Sequence, residues 1–303
     1  MLWFQKEKVN IPMGGAIPSP LDKRDVLMSE IFPLPVRIAS EMPPPFDLTI
    51  LNQNGFPHCV GYSSATIKQE KELRERNLLI FDGDWIYQEC KKIDNYSGQG
   101  TYLRIAMKVL QKQGAKPKDV SVSEAIKYRI GGYVKVDDLS FEGLKKAIYV
   151  NGILLAGFTG SNPGWQSSYI KSPKPGETTW GHAVALIGYN KDYIIGQNSW
   201  GINWGDKGLF YVPKDYMPFE AWAILTDLPS EFLIGKEEGF VASEYLKIDE
   251  FLIDDRVSPI ARLILRQEPG GTKILTLEKG QKLVIIGESQ KVGNYQWVKV
   301  KII

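Results

Sequence analysis

Two short segments, far apart in the chain, constrain this sequence more than anything else in it. The first runs Asn52-Gln53-Asn54-Gly55-Phe56-Pro57-His58-Cys59-Val60-Gly61-Tyr62, and the second opens at Gly181-His182-Ala183-Val184 and closes at Gln197-Asn198-Ser199-Trp200-Gly201. The chain holds 2 cysteines and 2 histidines in 303 residues, so the candidates for thiol and imidazole chemistry are few. Cys59 stands at the predicted start of a helix, where backbone N–H groups and the helix dipole favour thiolate over thiol. An imidazole such as His182 can take the thiol proton and return it to a leaving amine. Asn198 follows His182 by 16 residues. Two antiparallel strands joined by a turn would bring the pair together, with the amide oxygen accepting the imidazole N–H. Trp200 would shield that bond from water. Gln53, ahead of Cys59, offers a carboxamide that could hold an oxyanion together with the Cys59 N–H. Taken singly, each residue has a plainer reading: a buried core cysteine, a structural histidine, a packing indole, a solvated glutamine.

Around these segments the texture changes along the chain. Residues 1–48 are rich in proline without a sustained period (Pro18, Pro20, Pro33, Pro35, Pro43-Pro44-Pro45) and predict an extended arm on a domain surface. Helices are predicted from Cys59 to about Asn77, over Asp84 to Lys92, and from Tyr102 to Gln113 with Gly114 as a stop. The run Lys68-Gln69-Glu70-Lys71-Glu72-Leu73-Arg74-Glu75-Arg76 reads as a solvated helix end. After about residue 145 come short apolar strand-like runs: Gly152–Phe158, Ala183–Tyr189, Tyr193–Gly196 and Gly208–Val212. Helices followed by strands predict an α+β domain over residues 49–228 with a cleft between two lobes. Residues 229–255 read as a connector with some helix, and 256–303 as a small all-β unit.

Composition adds exclusions. A formal net charge of +2 gives no electrostatic case for nucleic acid or a membrane surface, and no run approaches the ~20 apolar residues of a membrane span. The first residues lack the apolar stretch of a secretory signal, and two cysteines make no disulfide framework. The expected setting is therefore a reducing, cytoplasmic one, with phage or spore association as further settings. No cofactor is expected, and the two cysteines and two histidines are not spaced as a metal-ligand set.

The order Gln53, Cys59, His182, Asn198-Ser199-Trp200-Gly201, continued by Trp204-Gly205 and by Gly208 before a strand, resembles the papain family of cysteine peptidases. The resemblance covers residues 40–228. It implies a papain-like two-lobed fold, a cysteine endopeptidase activity and a protein or peptide substrate. Cys59, His182, Asn198 and Gln53 would then be catalytic. By the same resemblance, the loop Tyr96-Ser97-Gly98-Gln99-Gly100-Thr101-Tyr102 would pair with substrate backbone, with Gly100 first and Gly98 second as contacts and Trp200 beside them.

This sequence departs from the family around the thiol. Phe56-Pro57-His58-Cys59-Val60 stands where plant and animal members have Cys-Gly-Ser-Cys-Trp, so the partner cysteine of a family disulfide is missing. The separation of Cys59 from His182 is also slightly shorter than the family's, as a trimmed loop would make it. His58 reads as a neighbour at the cleft rim with no catalytic role, and Cys90 as a helix-face core residue.

Residues Arg262–Arg266, Lys273–Leu283 and Trp297–Val300 resemble a bacterial SH3-like domain, which implies a binding module for a peptide or cell-wall ligand. Two other functions stay open. One is a cell-wall peptidase or amidase of the CHAP or NlpC kind, which also pairs Cys with His. The other is a non-catalytic papain-like binding scaffold.

Overall fold

The computed structural model describes residues 14–32, 34–45, 47–74 and 78–225, and beyond them the strands of a C-terminal unit. The chain divides into two units, Met1–Thr226 and Asp227–Ile303.

In the first unit, helices α2 (Cys59–Arg74), α3 (Gly83–Lys91) and α4 (Leu103–Lys112) precede a six-stranded antiparallel sheet. Its strands are β3 (Gly132–Lys135), β4 (Leu154–Ser161), β5 (Thr179–Tyr189), β6 (Tyr193–Gln197), β7 (Leu209–Pro213) and β8 (Glu220–Leu225), in the spatial order β3-β8-β4-β5-β6-β7. Helix α5 (Phe141–Asn151), which the sequence reading left out, completes the unit.

The sheet is covered on both faces, and this explains why its strands read as continuous apolar runs instead of alternating ones. Along β5, Val184 and Leu186 join α5 and a group of tryptophans on one side. Ala183, Ala185 and Ile187 join α2 and α4 on the other. The α+β expectation is met.

Most of the charged run in α2 is not solvated, although Arg74 at its end is exposed and Glu75 and Arg76 lie outside the described residues. Lys68, Gln69, Glu70, Lys71 and Glu72 are all buried. Because α2 is covered along its length, its charges are matched where they lie. Lys68 pairs with Glu72 and Arg74 with Glu70, one helical turn apart. Lys71 Nζ donates to the Asn151 carbonyl at 2.5 Å, and Gln69 Nε2 donates to Thr49 Oγ1 at 3.1 Å. Removing one partner would strand the other charge in a dry site.

Helices α2 and α3 meet backbone to backbone. A Cβ on Gly61 would lie 2.2 Å from the Gly83 carbonyl oxygen and 2.9 Å from Tyr87 Cβ.

The described part of the N-terminal arm, from Gly14 on, packs into the domain. Its strand β1 (Ala16–Ile17) pairs in parallel with β2 (Thr101–Tyr102). Its short helix α1 (Met28–Ile31) puts Met28 and Ile31 into the core. Met42 exchanges backbone hydrogen bonds with Tyr189 at the edge of β5.

The C-terminal unit is one antiparallel sheet. Its strands are β9 (Glu238–Ala242), β10 (Arg256–Val257), β11 (Leu263–Arg266), β12 (Lys273–Leu277), β13 (Leu283–Ile285), β14 (Gln290–Val292) and β15 (Tyr295–Ile302). The order is β10-β13-β15-β9-β11-β12, with β14 on β15. Within the stretch read as a connector, β9 is a strand paired with both β15 and β11.

Candidate active site

Helix α2 begins at Cys59, so the thiol stands over the unpaired N–H groups of a first turn. The side chain is fully buried. Ala183, the residue after His182 on β5, donates its N–H to Cys59 Sγ at 3.4 Å. That contact joins the helix start to the strand that carries the imidazole. Burial pushes the thiol up to about 11, against the backbone N–H groups of Ala183, Gly15, Val60 and Cys59, which act the other way.

His182 is 1 % exposed. Its Nε2 lies 2.8 Å from Asn198 Oδ1. The same oxygen accepts the Ser199 backbone N–H at 2.8 Å, and a backbone N–H can only donate, so the amide oxygen faces both. Nε2 therefore carries the ring proton, and Nδ1 is left as the basic nitrogen. β5 and β6 pair antiparallel, which is how residues 182 and 198 meet.

Three indoles cage the ring, at centroid distances of 4.7 Å for Trp200, 5.4 Å for Trp165 and 6.0 Å for Trp180. Trp200 had been placed among the substrate contacts; its ring packs on the imidazole. Trp180 was missed, although it sits two residues before His182 on the same face of a strand, a period-two signal that could have found it. Trp165 lies in the 3-10 turn Pro163–Trp165, and nothing local marks it. Desolvation in this cage brings His182 down to about 4, opposed by its bond to Asn198. Among the described residues, no hydrogen bond joins the thiol and the imidazole, and each is held neutral.

Gln53 is also buried. Residues 51–53 run beside 199–201: Gln53 N–H donates to the Ser199 carbonyl at 2.8 Å, and Gly201 N–H to the Leu51 carbonyl at 3.0 Å. Ser199 Oγ donates to Gln53 Oε1 at 2.6 Å, and Gln53 Nε2 donates to the Phe56 carbonyl at 2.5 Å. The carboxamide is thus anchored by Ser199, a member of the second motif to which the sequence reading gave no role.

The N-terminal arm lies across this group. A Cβ on Gly14 would sit 1.9 Å from the Gly181 carbonyl oxygen, and one on Gly15 would sit 1.9 Å from the Pro57 carbonyl oxygen. Only glycine backbone fits between the two motif segments. Thr101 N–H donates to the Gly15 carbonyl at 2.9 Å, so the edge at residues 101–102 pairs with the chain's own arm. Thr101 makes that hydrogen bond; it was not among the candidates. Gly100, at φ +92°, packs its backbone against Gly15. Gly98 lies against the Tyr96 ring. Lys91 Nζ organises the loop by donating to the carbonyls of Tyr96 at 2.8 Å, Gly98 at 3.1 Å and Gly100 at 3.1 Å.

Beyond the strand the arm is stitched down. Ser19 N–H donates to Glu220 Oε2 at 2.7 Å, and Arg104 N–H donates to Ser19 Oγ at 3.2 Å. The Arg104 guanidinium meets the Pro20 carbonyl and, at 2.8 Å, Asp25 Oδ2. Among the described residues no three His, Cys, Asp or Glu side chains gather as a metal-binding group, and no helix is long and apolar enough to cross a membrane.

The buried neutral imidazole makes stability depend on pH. Unfolded, His182 binds a proton below about 6.5; folded, it resists protonation down to about 4. The unfolded state then binds more protons in that window, so stability is full above pH 6.5 and falls as pH drops toward 4. The loss from this group is about 3 kcal/mol. Urea unfolding at pH 7 and pH 4.5 should show it, and His182→Gln should flatten the slope; an equally steep slope in that variant would refute the assignment.

Comparison with known proteins bears on the fold and the class of activity. The family description "Papain family cysteine protease" matches residues 84–221, which include His182 and Asn198. An uncharacterized peptidase C1-like protein of Acanthamoeba polyphaga mimivirus is 26% identical over 280 residues, covering 74% of this chain and 86% of that protein. Cysteine proteinase 3 of Entamoeba histolytica is 33% identical over 94 residues, and chymopapain of Carica papaya is 26% identical over 176. The chain spans 30% and 49% of the lengths of those two enzymes. Xylellain, a cysteine protease from Xylella fastidiosa, shares the fold with a TM-score of 0.61 at 23% identity, over 75% of this chain and 99% of that one. A Carica candamarcensis cysteine protease gives 0.52 at 17% identity, over 63% and 100%. The chain is similar to papain-family cysteine proteases over residues 84–221 and has a papain-like fold, and these matches support a cysteine endopeptidase activity.

Proposed function

We propose that Cys59 is the nucleophile, His182 the general base and acid, Asn198 the residue that orients the ring, and Gln53 an oxyanion donor. The observation that carries this reading is the junction of two contacts. Asn198 Oδ1 fixes His182 Nε2 at 2.8 Å, and the next residue's N–H touches Cys59 Sγ at 3.4 Å. In the reaction the thiol proton passes to His182 Nδ1 as sulfur attacks the peptide carbonyl carbon. The carbonyl π pair moves to oxygen, where Gln53 Nε2 and the Cys59 N–H meet it. The C–N bond breaks, the amine leaves with the proton, and water, deprotonated by the same imidazole, hydrolyses the thioester. Trp200 belongs to this site as the lid over the His182–Asn198 bond, with Gly100 and Gly98 on the peptide-binding edge.

The arrangement described is a closed one. Gly14 and Gly15 lie against Gly181 and Pro57, with Gly15 hydrogen-bonded to the Cys59 thiol through its backbone, and the Gln53 amide is turned to Phe56. A substrate has to displace the arm from the 100–102 edge.

The C-terminal unit, Asp227–Ile303, is in this reading an SH3-like barrel that binds a peptide or cell-wall ligand. Its single antiparallel sheet of mostly short strands supports this. The expected setting is cytoplasmic, without nucleic-acid or membrane partners.

Digestion of a protein substrate and of peptidoglycan, side by side, tests the proposal. Hydrolysis of protein together with labelling of Cys59 by a thiol-directed epoxide is expected. Release of peptidoglycan fragments alone would replace it with a cell-wall activity, and absence of any labelling would replace it with a binding scaffold.

A further inference from the structure

His58, the histidine outside the catalytic group, stands immediately before Cys59. Its Nδ1 lies 2.7 Å from Asp84 Oδ1 in the first turn of α3, and the other oxygen of that carboxylate accepts the Tyr62 hydroxyl at 2.9 Å. The imidazole is stacked between two rings, with its centroid 3.8 Å from Tyr87 and 5.4 Å from Phe56. Tyr87 reaches further: its hydroxyl accepts the Gly100 N–H at 3.4 Å. A continuous chain of contacts therefore runs from the residue before the nucleophile to the edge that pairs with extended peptide. The arm shows what lies between the two ends, because Gly15 touches the Pro57 carbonyl on one side and Gly100 on the other.

We propose that His58 is a positioning residue for substrate: stacked on Tyr87 and tied to Asp84, it sets the gap between the Pro57 carbonyl and the Gly100–Tyr102 edge in which the peptide beside Cys59 must lie. The inference rests on the peptidase reading above. The physical reason is stiffness. The close Gly61–Gly83 approach fixes α2 against α3, and the His58–Asp84 hydrogen bond and the ring stack tie the residue before α2 to α3. Orientation of a bound peptide against a nucleophile is sensitive to shifts of an ångström or less. Removing the ring would let the edge drift without touching the thiol.

The test compares two reactions of the same full-length chain. One is kcat/KM for a peptide, which needs the edge; the other is the rate constant for alkylation of Cys59 by iodoacetamide, which does not. Displacement of the arm multiplies both, so it cancels in their ratio. His58→Ala should lower the ratio about tenfold, chiefly through KM, with the alkylation rate constant unchanged or raised. Tyr87→Phe, which removes only the hydroxyl facing Gly100, should lower it two- to threefold, and His58→Phe, which keeps the stack, should retain more than His58→Ala. If His58→Ala fails to fold, Tyr87→Phe and Asp84→Asn decide the matter. Ratios equal to that of the wild type in these variants would overturn the inference while leaving the peptidase reading in place. A wild-type chain that is alkylated but hydrolyses no peptide would overturn both.

Discussion

Replacing Cys59 with alanine is expected to abolish peptide hydrolysis, a fall on the order of 10⁶-fold in kcat. The other cysteine, Cys90, is buried in α3 and takes no part in this site. His182→Ala should fall to the same floor, and the double variant should fall no further, because the two groups act as one unit: without the base the thiol stays protonated, and without the thiol the base has nothing to activate. Gln53→Ala should cost less, about 10²- to 10³-fold, since one of two oxyanion donors remains on the Cys59 backbone. Steady-state assays on a fluorogenic peptide would measure all four. Additive losses for Cys59→Ala and His182→Ala would refute the unit, and full activity in Cys59→Ala would refute the mechanism.

The second large effect concerns the arm. Gly15→Val places a Cβ 1.9 Å from the Pro57 carbonyl oxygen, with no flexible side chain there to give way. The strand then has to lift, losing the Thr101 hydrogen bond and the burial of Ala16. Losses of this kind amount to about 2–3 kcal/mol, so alkylation of Cys59 should accelerate about 100-fold. Arg104→Ala, which releases the arm at Pro20 and Asp25, should act in the same direction. Opening also rehydrates the site. The pH at which alkylation reaches half its maximal rate should then fall well below the value of about 11 at which burial holds the closed thiol. Iodoacetamide kinetics across pH provide both numbers. A folded Gly15→Val variant that reacts like the wild type would show that the arm does not gate the thiol.

Much of the candidate site was legible because its parts lie in regular elements. The start of α2 at Cys59 followed from the apolar stripe, and the meeting of His182 with Asn198 followed from two adjacent apolar runs joined by a turn. What stayed hidden is non-local or backbone-made. The placement of Gly14 against Gly181 and of Gly15 against Pro57 leaves no pattern in the sequence, since the contacts run from main chain to main chain. Trp165 enters the cage from a 3-10 turn with no periodicity to announce it. The buried charges of α2 misled for another reason: a helix end rich in Lys and Glu looks solvated unless one knows that neighbours cover it on every side. His58 was read as a bystander because its partners, Asp84 and Tyr87, belong to another helix.

The tryptophan cage has an optical consequence. Three of the chain's 8 indoles have ring centroids within 6.0 Å of the His182 imidazole. A protonated imidazole quenches the emission of a neighbouring indole, whereas a neutral one does so far less. The intrinsic fluorescence of this protein should therefore dim as His182 takes up its proton, whether from acid or from Cys59. Such dimming would let the ionisation of the proposed Cys59–His182 pair be followed without any added label.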